Sequence, residues 1–183
     1  MNPLIMVAPN MPGWIYAGNS WANYFIQDII PFVDETYRTL RAREHRGIVG
    51  YSKGGNDVIQ LAFMRPDLFS VMGARAAAHN LSLAQLEQLA KDYDAAKYPI
   101  RFWIYHGRND VSVPFAGSER FIAFVKGKGW EYVFESYDGD HSTIPLDIQE
   151  RCLEYFSKFL GAPLVAVQLQ GRLATTWAEM KRR

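Results

Sequence analysis

The chain is poor in the groups that equip many redox and metal sites. Cys152 is the one cysteine among 183 residues, which excludes an intramolecular disulfide and any metal centre built on several thiolates. It sits in an apolar helical stretch and reads as a small core residue. Net charge is nearly absent as well: 20 Lys and Arg stand against 19 Asp and Glu. No overall field therefore draws nucleic acid or an anionic membrane. The closing KRR is too short to change that. Long apolar runs are missing too, since none reaches the ~18 residues that span a bilayer. The opening MNPLIMVAPN carries neither a charged leader nor the apolar stretch of a secretory signal, and the compartment is left unassigned.

What is present is an ordinary globular composition, 49% hydrophobic and 21% charged, long enough to bury one sizeable core. LIMVA (4–8) is a continuous apolar run of the kind that forms a strand buried on both faces. From Trp21 a helical period takes over through Phe25, Ile29, Phe32 or Val33, and Tyr37, with a kink expected at Pro31. Strands are then expected at RGIVGYS (46–52), VMGARAA (71–77), IRFWIYHG (100–107) and EYVFESYDG (131–139). Helices are expected over 53–64, over LAQLEQLAKDY behind the capping box Ser82-x-x-Gln85, over GSERFIAFVKGKG, and over PLDIQERCLEYFSKFLG. In the last of these, Pro145 is expected at the first helical position and Gly161 just past the end.

Strands alternating with helices imply an α/β fold in three layers, a mostly parallel sheet covered on both faces. Residues 1–160 read as that domain. Residues 161–183 read as a C-terminal arm docking on it or on a partner subunit.

GYSKGG (50–55) is where chemistry enters. A strand running into Gly-x-Ser-x-Gly and leaving as a helix is the setting of a nucleophile elbow. The turn is so tight that the residues two before and two after the serine must be small, which Gly50 and Gly54 satisfy. The elbow lifts the Ser52 hydroxyl above the sheet, beside a helix N-terminus that favours an oxygen anion. The bland alternative is that these glycines only shape a strand–helix turn.

A serine hydroxyl is a weak nucleophile and needs a base oriented by a carboxylate. Of the four histidines, His45 lies in the charged RAREHR and reads as solvated surface. His79 reads as a structural loop residue, and His106 as a brace for the turn after its strand. His141, in YDGDHST after the last strand, has the position from which an imidazole reaches back over the sheet. Asp110 in HGRND follows a strand end, where ligand-facing residues of an open parallel sheet gather. The chain order Ser52, Asp110, His141 is that of the elbow fold. Asp138 and Asp140 are rival acids, but they sit close to His141 in sequence for bracing its far ring nitrogen.

These features resemble the putative esterase family of α/β-hydrolases, the group that includes esterase D and many feruloyl and acetyl xylan esterases. VAPN, FIQDIIPFVDETYRT, HRGIVGYSKGG, RPDLFS, IYHGRND and YDGDH carry the resemblance, which covers residues 4–160. It implies Ser52 as nucleophile, His141 as base and Asp110 as its orienter. The implied activity is carboxylic ester hydrolysis through an acyl-enzyme, without metal or cofactor, on a small-molecule ester or polyester substrate. Relatives in this family are often secreted.

Two departures from the family pattern shape further expectations. The chain starts at what resembles the family's fourth strand, so the sheet is expected to be shortened. Either LIMVA pairs directly with GIVGYS, or a gap is left between them. The exposed edge leads us to expect a homo-oligomer, most simply a dimer. The segment that supplies the family's second oxyanion donor is also missing, which leaves the Lys53 N–H as the one assignable donor. NMPGWIYAG (10–18) is a candidate replacement. Trp14, Tyr16 and Trp21 are candidate substrate-binding aromatics beside Tyr51, or else they pack the core or an interface. Loss of one donor would cost about 10²–10³ in kcat, so a modest esterase is expected.

Lys53 is itself the second departure, and its side chain is expected near the acyl pocket, favouring anionic substrates. The rival reading is a non-catalytic oligomerising domain derived from a truncated hydrolase. Peptidase and thioesterase chemistry would use the same triad.

Overall fold

The alternation of apolar runs and helical periods resolves into a four-stranded sheet. The structure, a computed structural model, describes residues 4–9, 20–77 and 81–160. The strands β1 (Gly47–Tyr51), β2 (Val71–Arg75), β3 (Arg101–Gly107) and β4 (Tyr132–Tyr137) lie in that order and all pair in parallel. Parallel neighbours need long crossovers. These are supplied by α3 (Lys53–Met64), α4 (Leu83–Leu89) and α5 (Phe115–Gly127), and α6 (Leu146–Leu160) follows β4. Ahead of β1 stand α1 (Ser20–Tyr24) and α2 (Ile30–Thr36), joined by one π turn, Phe25–Ile29.

That π turn sits where a kink is expected. Pro31 lacks an N–H and its ring crowds the preceding turn. Widening the helix just before it is one way to absorb this, and the Ile30 N–H bonds to the Phe25 carbonyl five residues back. The Ser82–Gln85 capping box forms as expected, with both reciprocal hydrogen bonds present.

Side chains alternate across the sheet with a period of two. Ile48, Met72, Ala74, Phe102 and Ile104 join the larger core with Val58, Ile59, Leu61 and Ala62 of α3 and Phe121, Phe124 and Val125 of α5. Val71, Trp103 and Tyr105 face the other way, onto Ile148, Cys152, Phe156 and Leu160 of α6. Cys152 is thus the core residue expected, and burial pushes its thiol up to about 12, far from a reactive thiolate.

Two expectations are corrected. LIMVA forms no strand: Leu4–Pro9 joins no ladder among the described residues, and Ile5, Met6 and Val7 are exposed. Among the described residues β1 pairs only with β2. A groove of about 810 Å³ runs along its other side, lined by Leu4–Pro9, Ile30, Val33, Val49 and Phe156 among others. Of the two alternatives, the gap is the one formed.

His45 is not solvated surface. It is half-buried, and its Nδ1 lies 2.9 Å from the Leu160 carbonyl. The last carbonyls of a helix have no partner within it, and a ring N–H from outside satisfies this one. The proposed arm at 161–183 lies outside the described residues, as do His79, Trp14, Tyr16 and the rest of 10–19. Among the described residues no helix is long and apolar enough to cross a membrane.

Candidate active site

The C-terminal ends of the four parallel strands bring three distant residues together. Ser52 follows β1 directly and takes φ 55°, ψ −119°, a left-handed conformation that costs a non-glycine residue of order 1–3 kcal/mol. The turn closes only because Gly50 lacks a side chain. A Cβ there would lie 2.1 Å from the Gly54 carbonyl oxygen. The Ser52 N–H donates to the Arg75 carbonyl on β2 at 2.9 Å, which fixes the elbow to the neighbouring strand.

His141 stands in the loop between β4 and α6. Its Nε2 is 3.1 Å from Ser52 Oγ, and its Nδ1 is 2.7 Å from Asp110 Oδ2. A carboxylate can only accept, so Nδ1 carries the proton and Nε2 is left to accept from the serine hydroxyl. Both Ser52 and His141 are half-buried. The carboxyl group of Asp110 is wholly buried.

Asp110 survives burial because donors surround it. Its Oδ1 accepts the Ser112 and Val113 N–H groups at 2.9 and 2.8 Å. Its Oδ2 receives His141 and also His106 Nε2, at 3.1 Å. Burial pushes the carboxyl group up, but the bonds from Val113, His141 and His106 outweigh it and hold its pKa below the ordinary value.

His106 faces two acceptors with Nε2, Asp110 and the Val113 carbonyl, both at 3.1 Å, so that nitrogen carries the proton. Its Nδ1 is 2.8 Å from Ser118 Oγ, whose hydroxyl donates to the neutral ring. Burial lowers the His106 pKa, against the opposing pull of Asp110. The brace expected of His106 is therefore a brace of Asp110 itself.

The rival acids are engaged in turns. Asp138 accepts from the Asn109 side chain at 2.6 Å. Asp140 accepts the Ser142 and Thr143 N–H groups. Gly107 lets the two loops meet, since a Cβ there would lie 2.3 Å from the Gly139 carbonyl oxygen.

The remaining sequence candidates fall in different places. Lys53 begins α3, so its N–H lies at the helix N-terminus next to Ser52. Its ammonium pairs with Asp57 at 3.0 Å, one turn along the helix. Trp21 is 7% exposed and belongs to the main core, because the apolar face of α1 packs inward. Tyr51 donates its hydroxyl to the His141 carbonyl at 2.7 Å, and the two rings lie 4.8 Å apart. Arg75 was not singled out by sequence reasoning. It reaches the same loop, bonding the His141 and Thr143 carbonyls. Among the described residues no cluster of three His, Cys, Asp or Glu side chains is placed to hold a metal ion.

Residues 15–131, more than half the chain, match the family described as "Putative esterase". The chain belongs to that family. Its fold is also that of solved esterases and serine hydrolases. One is the ferulic acid esterase AmCE1/Fae1A from Anaeromyces mucronatus, in complex with ferulic acid, with TM-score 0.66 and 21% identity over 85% of this chain and 60% of that one. Another is FphF, a fluorophosphonate-binding serine hydrolase of Staphylococcus aureus, with TM-score 0.60 and 17% identity over 80% of this chain and 66% of that one. The S-formylglutathione hydrolase FrmB from Staphylococcus aureus matches with TM-score 0.57 and 18% identity, over 78% and 65% of the two chains. At such identities the likeness is one of fold: an α/β-hydrolase with a shortened parallel sheet. This chain spans 60 to 66% of the length of these three structures.

The depressed pKa values set a pH dependence of stability. The folded state holds His106 below its ordinary 6.5, so the unfolded chain takes up a proton first as pH falls. This contribution is full above about pH 6.5 and is lost as pH drops through the folded pKa. Asp110 adds a second loss below its ordinary 3.8. Urea midpoints should therefore be level between about pH 7 and 8, fall from about 6.5 downward, and fall again in stronger acid. In His106→Gln the upper decline should shrink; an unchanged decline in that variant would contradict the assignment.

Proposed function

We propose that the protein is a serine carboxylic ester hydrolase working through an acyl-enzyme, with Ser52 as nucleophile, His141 as general base and Asp110 as its orienter. The observation that carries this reading is the unbroken chain of hydrogen bonds from the Ser52 hydroxyl through the His141 ring to the buried Asp110 carboxylate. Family membership agrees with it.

Ser52 Oγ attacks the ester carbonyl while its proton passes to His141 Nε2, and the imidazolium is held by Asp110. The negative oxygen of the tetrahedral intermediate accepts from the Lys53 N–H, where the dipole of α3 adds to the attraction. Collapse breaks the carbonyl carbon–alkoxide bond, and His141 returns the proton to the departing alcohol. Water, activated by the same imidazole, then attacks the acyl-serine and releases the acid.

Aryl, feruloyl and acetyl esters, and aromatic polyesters, are the substrate classes we assign. The complex of a structural neighbour with ferulic acid supports the aromatic choice. Hydrolysis of p-nitrophenyl acetate tests the reading: Ser52→Ala should lower turnover by more than about 10³-fold while keeping the fold. Equal turnover by wild type and variant would instead favour the non-catalytic oligomerising domain.

We also propose that a second copy covers the side of β1 that is left unpaired among the described residues. The exposed Ile5, Met6, Val7 and Val49 beside an open strand edge support it. Sedimentation equilibrium at micromolar protein should give the dimer mass; a monomer throughout would overturn the proposal.

A further inference from the structure

Arg75 closes β2 and is 5% exposed, yet no carboxylate pairs with it among the described residues. A guanidinium withdrawn from water in this way is costly unless its donors are well used. One terminal nitrogen reaches two main-chain carbonyls of the loop between β4 and α6: Thr143 at 2.6 Å and His141 at 3.2 Å. The guanidinium also lies over the Tyr51 ring, 4.4 Å from its centroid, and the Tyr51 hydroxyl donates to that same His141 carbonyl. Nε is buried without a partner. The side chain is thus set by what the loop needs, not by its own full satisfaction.

The main chain of Arg75 holds the other reactant. Its carbonyl accepts the Ser52 N–H, and the residue after it, Ala76, takes φ 46°, a second left-handed non-glycine residue beside the elbow. We propose that Arg75 is a positioning residue that fixes the Ser52–His141 separation, its carbonyl anchoring the elbow and its guanidinium anchoring the base's loop, with Tyr51 as the second jaw of the clamp. The consequence for catalysis rests on the esterase reading; the clamp itself does not.

The choice of side chain follows from the geometry. The guanidinium meets two carbonyls two residues apart and lies over an aromatic ring, where a planar cation stacks well. A lysine would keep the charge but offers a single rotatable ammonium. An apolar side chain would take one donor from each loop carbonyl, leaving Tyr51 alone on His141 and Tyr137 alone on Thr143. Either change would let the imidazole drift along the line between Ser52 and Asp110, where a displacement near 1 Å can cost about 10²-fold in rate.

The test combines steady-state kinetics on p-nitrophenyl acetate with proton NMR of the low-field resonance from the His141 Nδ1–H bonded to Asp110. In Arg75→Met, kcat should fall by about 10²-fold with KM unchanged, and the resonance should broaden or vanish. Arg75→Lys should recover part of both. Tyr51→Phe, a milder change at a half-exposed position, should give a smaller loss of kcat and a shifted resonance; it decides the matter if Arg75→Met does not fold. Wild-type kcat and resonance in these variants would overturn the clamp. A raised KM with unchanged kcat would overturn it too, making the two side chains substrate contacts. If wild type and Ser52→Ala prove equally inactive, the ester hydrolase reading fails, while the resonance still reports on the clamp.

Discussion

A carboxylate withdrawn from water must be surrounded by donors, and the C-terminal end of the sheet is arranged around that requirement. Asp110 has no solvent to lean on, so each of its oxygens is met by two donors. Two main-chain N–H groups curl the turn after β3 onto one oxygen, and two imidazoles converge on the other. Removing any one leaves a buried charge short of a partner, a cost of several kcal/mol. That cost keeps His141 in the tautomer that leaves Nε2 free to accept from Ser52. It also explains the second histidine: His106, kept neutral by its own burial, supplies an N–H without adding a competing charge.

His141 is held from two directions. Asp110 grips its ring, while Arg75 and Tyr51 grip the main chain that carries it. Ser52 is pinned to β2 through the carbonyl of the same Arg75. The left-handed backbone at Ser52 and Ala76 is tolerated because the parallel ladder and the α3 packing over-determine it. Rigid strands thus take up the strain, and the placement of Ser52 and His141 inherits their precision.

Much of this was legible in the sequence, and the reason lies in local signals. Short strand-like stretches marked all four strands, most plainly the central β2 and β3, which are buried on both faces. Gly50, Ser52 and Gly54 marked the elbow, because only small residues fit that turn. The places of Asp110 and His141 after strand ends led us to expect them beside Ser52, and the three do come within hydrogen-bond reach. What was missed depends on partners far along the chain. LIMVA has the composition of a strand, but a strand exists only if another pairs with it, and among the described residues none pairs with LIMVA. Arg75 and Tyr51 bond to main-chain carbonyls 66 and 90 residues away. Any residue type offers such a carbonyl, so no motif announces the contact. Trp21 stood open between an aromatic wall and the core, and it packs the core; an apolar helix face and a pocket lining share one composition.

The central claim is that Ser52 is activated by His141 and Asp110. Labelling the folded protein with a serine-directed fluorophosphonate, followed by peptide mass spectrometry, measures this directly. One adduct per chain on Ser52, formed far more slowly in His141→Ala, is the predicted result. An adduct on another serine, or on Ser52 at the same rate without His141, would contradict it.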